Sequence, residues 1–194
     1  MGSDGVEKTS ASPLQQLCDR AKLSDESRVL LTEQFTTKEF LSLLVEKELF
    51  RDAIRLVAYL LPKREAIGWG CLCTRHVLTL QTGKPLPDVQ AAVERWVSTP
   101  NEDNRWAAKE AADKEEPKTP SGFLAMAVFF SGPSMAPPNL QPVPPPEHVT
   151  SEIVANAVVL AGLVKEPEKA KEKHRVFVQK ALAMIARLQQ PPQQ

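Results

Sequence analysis

Residues 133–146, PSMAPPNLQPVPPP, carry seven prolines in fourteen positions, so neither a helix nor an inner strand can pass through them. Each proline removes a backbone donor and pushes the residue before it towards extended geometry. The rest of the 17 prolines punctuate the chain. Ala, Leu, Glu, Lys and Gln dominate the stretches between them, and these are helix formers. Strand formers are scarce, with aromatic residues at 6% and a single tyrosine. The expected fold is all-α: a compact irregular bundle of about eight helices with a proline-rich extended loop.

Local signals place the helices. Ser12 before Pro13 is a cap with proline at the first helical position, and Ser24 opens a second short helix. Thr36 with Glu39 three residues on is a capping box. Helical character then runs to Pro62, with Leu49, Phe50, Ala53, Ile54, Val57, Ala58 and Leu61 on one face. Pro62 both stops that helix and starts the next, which is apolar on most sides and is expected to run to Gln81, closed by Gly83. It is the expected centre of the core. Helices are further expected behind Pro87, behind Pro100, behind Thr119 and Pro120 as far as Gly132, behind a cap at Thr150, and from Pro167 to Leu188. Residues 1–11 and 189–194 read as disordered tails flanking a single helical domain over 12–188.

Charge and composition exclude several functions. The chain balances 24 basic against 24 acidic side chains, whereas nucleic-acid binders usually carry a basic excess. Asn101 to Lys118 (six acids, four bases) and Lys165 to Arg187 (seven bases, three acids) read as solvated helix faces. Three cysteines do not make a secreted disulfide framework, no apolar leader opens the sequence, and the longest apolar run, Phe123 to Phe130, is far short of the roughly 20 residues a spanning helix needs. A cytoplasmic protein with no nucleic-acid or membrane partner is expected.

Candidate chemistry is thin. Cys71, Cys73 and His76 are residue types that bind zinc, but at about 100° per residue on a helix they point in three directions and cannot close around one ion. His76 lies three residues after Cys73, within reach of it, yet apolar surroundings raise a thiol pKa and blunt the nucleophile. No phosphate loop, paired-histidine motif or serine elbow is present. The sequence therefore assigns no catalytic residue, no metal and no cofactor, and points to a protein partner. The residues expected to meet that partner are Arg64, Arg75 and Trp69 on or near the central helix, and Met135, Leu140 and Val143 in the proline-rich segment. For Arg75 the competing reading is an ion pair with an acid on a neighbouring helix such as Asp52, and for Trp69 it is the core. If Met135, Leu140 and Val143 enter a groove of the same chain, the segment is a strap; if exposed, it is a ligand for another protein. The alternatives to a binding protein are a regulatory sensor with a ligand pocket around Trp69, Cys73 and His76, and an enzyme using Cys73 or His76.

Three stretches carry a family resemblance: LVAYLLPKREAIGWGCLCTRHV (Leu56 to Val77), AAVERWVSTPNEDNRWAAKEAA (Ala91 to Ala112) and TPSGFLAMAVFFSGPSMAPP (Thr119 to Pro138). With Leu61 to Ala66, Cys71 to Arg75 and Phe129 to Ser134 as its most specific parts, the chain resembles, over about Leu14 to Leu188, a family of small uncharacterised bacterial proteins found beside type VI secretion components. It departs from the paired tryptophans expected there, carrying Gly68 and Trp69. The resemblance implies a non-catalytic chaperone or co-chaperone that helps load a secreted effector, with a chaperone or the effector itself as partner.

Overall fold

The computed structural model describes residues 12–78, 86–115, 118–137 and 139–189. The disordered-tail expectations for 1–11 and for 189–194 past Gln189, and the stop at Gly83, lie outside the described residues; Gln189 itself donates to Ile185 O at the end of the last helix. Among the described residues the protein is all-α, with ten α-helices and no strand. They are α1 (Pro13–Arg20), α2 (Asp25–Val29), α3 (Thr37–Glu46), α4 (Phe50–Leu60), α5 (Lys63–Leu78), α6 (Asp88–Ser98), α7 (Glu102–Lys114), α8 (Pro120–Ser131), α9 (Val149–Leu163) and α10 (Ala170–Leu188), the last entered through a single 3₁₀ turn, Pro167–Lys169. One cluster of buried apolar side chains runs from Leu14 to Ala181. α9 packs on α4, α5, α8 and α10, and α5 packs on α4, α6, α8, α9 and α10.

The helix starts obey local chemistry. Ser12 Oγ accepts from Gln15 N, Ser24 Oγ from Ser27 N, and Thr119 Oγ1 from Gly122 N, each satisfying a donor that the first turn leaves unpaired. Thr36 and Glu39 form the full capping box. Two expectations are corrected. Thr150 does not cap α9: the helix begins at Val149, two residues earlier than a cap at Thr150 would set it, behind His148, which takes the left-handed conformation at φ 63°, and Thr150 is buried inside the first turn.

The chain is also not helical from Thr36 to Pro62. It breaks at Glu48, where φ is 60°. Leu49 N donates to Leu44 O and Glu48 N to Val45 O, the paired bonds of a Schellman ending with a glutamate where glycine is usual. What holds Glu48 there is tertiary: its carboxylate takes Lys171 and Arg175 of α10. Lys22 ends α1 in the same way at φ 50°, with Leu23 N on Cys18 O and Lys22 N on Asp19 O.

The turn between α9 and α10 buries two ionisable groups. Lys173 is 6% exposed, and its ammonium sits among the carbonyls of Gly162 (3.3 Å), Val164 (3.0 Å), Glu166 (3.2 Å) and Lys165. It thus caps the negative end of α9. Beside it, His174 Nε2 lies 3.0 Å from Val159 O, its ring passing over Gly162, where a Cβ would meet Nε2 at 2.1 Å. Burial holds the His174 imidazole below its ordinary 6.5, against the hydrogen bond to Val159 O, with Arg51 and Lys173 adding to the depression. Burial, with Lys180 and Lys173, does the same to His76.

A folded-state pKa below the unfolded one means that the unfolded chain binds more protons. The stability from neutral imidazoles is therefore complete above about 6.5 and is lost as pH falls through 6.5 towards the folded values. Glu39, Glu48, Glu94, Glu102 and Glu166 are all held below 4.5, so their contribution fades in a separate, more acidic window. The melting temperature is expected to fall between about pH 7.5 and pH 5.5, and His174→Gln, whose amide keeps a donor near the Nε2 position, to flatten that fall. A thermal-melt series over this range checks it; a flat or rising profile in the native chain refutes the assignment.

Candidate functional site

The inward side of the central helix, α5, is packed. Trp69 and Cys73 have no exposed surface, and Trp69 Nε1 donates to Phe177 O at 2.9 Å. His76 meets the Phe177 ring edge-on at 5.9 Å. Trp69 is therefore corrected from a partner-facing residue to a core residue: its indole fills the space between α5 and α10, with its one polar atom satisfied inside. Of the three residues considered for a ligand pocket, Trp69 and Cys73 are fully buried and His76 lies against the Phe177 ring. Burial pushes the Cys71 thiol up to about 12 and the Cys18 thiol up to about 11, and raises Cys73 as well, so all three are protonated, buried thiols at neutral pH. Among the described residues no group of three His, Cys, Asp or Glu side chains is placed to hold a metal ion.

Arg64 and Arg75 are exposed, and both reach α6. Arg64 Nε donates to Val97 O at 2.9 Å, at the carbonyl end of that helix. Arg75 makes a two-pronged pair with Glu94 at 3.1 and 2.5 Å, so the acid completing its bridge is Glu94 and not Asp52. Asp52 instead accepts from Ser24 N and from the hydroxyls of Ser24 and Ser27, tying α4 to α2. Behind Arg75 a polar chain runs inward: buried Gln90 donates to Glu94 and accepts from Ser121 Oγ at 2.8 Å. Burial raises the Glu94 carboxyl, but the hydrogen bonds from Arg75 and Gln90 outweigh this and hold it below its ordinary value. Gln90, Glu94 and Ser121 carried no motif in the sequence; only the packing of α5, α6 and α8 brings them into line.

The proline-rich segment folds on itself. Met135 N donates to Val143 O at 2.7 Å, and Ser134 Oγ accepts from both Val143 N and Ala136 N at 3.0 Å, closing a narrow loop although its neighbouring prolines have no backbone N–H to offer. Leu140 N, on Pro137 O, turns the tip. Met135 is half-buried, while Leu140 is 59% and Val143 48% exposed. The segment is thus an apolar-tipped hairpin and not a strap laid in a groove of its own chain.

The end of α8, from which it departs, is held by Arg105. Arg105, 2% exposed, pairs with Glu102 at 2.9 and 2.6 Å and donates to Phe129 O at 2.8 Å. Its guanidinium stacks near the rings of Trp106 and Phe129. Gly132 is required where the hairpin departs, because a Cβ there would lie 2.5 Å from Arg105 Nε.

A second feature was not anticipated. Where the start of α3, the end of α4 with Leu61 and Pro62, and the end of α10 converge, an open groove of about 540 Å³ is lined by Leu41, Leu60, Leu61, Leu182, Ile185 and Leu188, with Thr37, Lys38 and Gln189 among its polar groups. The sequence places these apolar residues on three separate helices. No pattern within one helix signals that their outward edges meet.

Among the described residues the protein is thus all-helical, with one buried apolar core and with the hairpin and the groove as apolar features at its surface. No helix among the described residues is long and apolar enough to cross a membrane. The chain belongs to a family of unknown function, DUF6931, whose model matches residues 40–185. No curated protein and no solved structure matches it.

Proposed function

We propose that this protein is a non-catalytic, cytoplasmic adaptor or co-chaperone that binds another protein through the hairpin Met135 to Val143. The resemblance noted in the sequence makes a type VI secretion effector, or the chaperone that carries one, the expected partner. The observation carrying the reading is the hairpin itself. A loop closed by Met135 N on Val143 O and by Val143 N on Ser134 Oγ leaves Leu140 and Val143 exposed to water, where an apolar pair gains free energy only by meeting another surface. Because the loop is already ordered, little conformational entropy remains to be lost on binding. Arg64 and Arg75, exposed on the α5 side and fixed by their bonds to α6, are the polar contacts the reading retains. A patch of roughly 800 Å² per partner is enough for a stable complex.

The test is affinity capture from the native host with the full chain and with the double variant Leu140→Asp, Val143→Asp, followed by mass spectrometry. Full burial of an aliphatic side chain contributes roughly 1.5–3 kcal/mol, and these two start about half exposed, so loss of both is expected to cut recovery of one dominant partner at least about tenfold. The variant keeps its melting temperature, since neither side chain belongs to the core. Equal recovery by both chains, or no dominant partner for the native one, refutes the reading.

A further inference from the structure

We propose that residues 141–146, the returning leg of the hairpin, are a polyproline II ligand for a partner domain whose groove is lined by tryptophan and tyrosine. The inference rests on the hairpin reading and names the kind of surface that the hairpin meets.

Proline sterics set the conformation. Pro142, Pro144, Pro145 and Pro146 have φ held at about −65°, and Gln141, Val143, Pro144 and Pro145 each precede a proline, which disfavours the α region for them. Residues 141–146 are accordingly neither helix, strand nor turn. A chain so constrained winds as a left-handed helix with three residues per turn and no internal hydrogen bonds, in effect a prism with three edges.

The hydrogen bonds follow that period. Val143 O accepts from Met135 N at 2.7 Å, and Pro146 O, one turn on, accepts from Val149 N at 3.3 Å, so this edge is the one the chain binds to itself. Gln141 and Pro144 form a second edge and Pro142 and Pro145 a third; among the described residues none of these four carbonyls accepts a hydrogen bond. Gln141, Pro142 and Pro144 are exposed, and Pro145 is half-buried. Two edges are thus turned outward with acceptors and almost no donors: Gln141 and Val143 have the only backbone N–H groups of the run, and Val143 gives its own to Ser134 Oγ at 3.0 Å.

These features select the chemistry of the partner. A strand edge does not fit, because β-pairing needs amides alternating with carbonyls and only Gln141 N is left to offer. A surface that recognises charge has nothing to pair with in residues 133–146, which contain no acidic or basic side chain. What fits is a row of flat rings that pack on the pyrrolidines and carry indole N–H and phenol O–H groups, which donate to the open carbonyls. The run is already extended in the free protein, so docking it costs little order.

The test adds arms to the capture from the native host. A free polyproline peptide of about ten residues, added in excess, is expected to lower recovery of the dominant partner by the full chain at least about fivefold. A glycine–serine peptide of equal length, a flexible coil, leaves recovery unchanged. The double variant Pro142→Ala, Pro144→Ala removes a ring from each outward edge and frees the backbone, and is expected to lower recovery at least about fivefold although Leu140 and Val143 are intact. Both prolines are exposed, so its melting temperature stays that of the native chain. Pro133→Ala, at an exposed proline outside the run, leaves recovery unchanged. Equal recovery by the Pro142, Pro144 variant, or indifference to the polyproline peptide, overturns the inference. If Leu140→Asp, Val143→Asp still abolishes recovery in that case, the hairpin reading stands and its partner takes the aliphatic side chains alone. A native chain that returns no dominant partner overturns both.

Discussion

Trp69→Ala is expected to lower the free energy of unfolding by about 4 kcal/mol. Trp69 has no exposed surface, and its Nε1 donates to Phe177 O. Truncation therefore removes the transfer energy of an indole, leaves a void between α5 and α10, and deletes one buried donor. The first two account for most of the loss, roughly 3–5 kcal/mol for an aromatic truncated in a core. The hydrogen bond adds about 1 kcal/mol. Trp69→Phe keeps most of the volume and loses the donor, so it should cost clearly less. For a protein of this size each kcal/mol moves the melting temperature by roughly 2–4 °C, so the alanine variant should melt about 8–16 °C lower. Urea unfolding followed by circular dichroism checks both variants. A loss under about 1 kcal/mol for alanine would mean that the indole is not enclosed.

Lys173→Met is the second large effect, and it arises from polarity alone. Methionine occupies nearly the same volume, so no cavity forms, but the ammonium that caps α9 is gone. Gly162, Val164 and Lys165 then have carbonyls without that donor, in a turn where the lysine is only 6% exposed. Lys165 and Glu166 also hold φ of 52° and 43°, a left-handed conformation that costs an L-residue roughly 1–2 kcal/mol. The charge-assisted bonds from Lys173 are what offset it. An overall loss of about 3 kcal/mol is expected, with amide hydrogen exchange rising first in the last turn of α9 and the first turn of α10. A stability within about 0.5 kcal/mol of the native chain would show that the lysine is a bystander.

How much of this was legible depends on the range of the interaction. The caps at Ser12, Ser24, Thr36 and Thr119, the prolines at 13, 62 and 120, and the stop at Gly132 act within four residues, and each marks a boundary the structure keeps. The α3–α4 break was illegible because its left-handed residue is Glu48, held by Lys171 and Arg175 from more than a hundred positions away. Thr150 misled because a hydroxyl residue ahead of an apolar run looks like a cap whether it lies before the helix or just inside it. Arg75 was read as needing a partner on another helix, and it has one; which acid answers it depends on where α6 lies. The groove had no sequence signal, since each contributing helix looks like an ordinary amphipathic element.

The sequence by itself determined that the chain is helical, where most helices begin and end, and which segment must leave the bundle, because capping, proline sterics and apolar periodicity act between near neighbours. Tertiary structure alone decided that Trp69 is interior, that Arg75 meets Glu94, that Lys173 caps α9, and that Leu140 and the α3–α4–α10 groove remain open to solvent. These outcomes depend on which apolar faces cover one another when distant helices pack. A side chain carries no local mark of the surface it will meet.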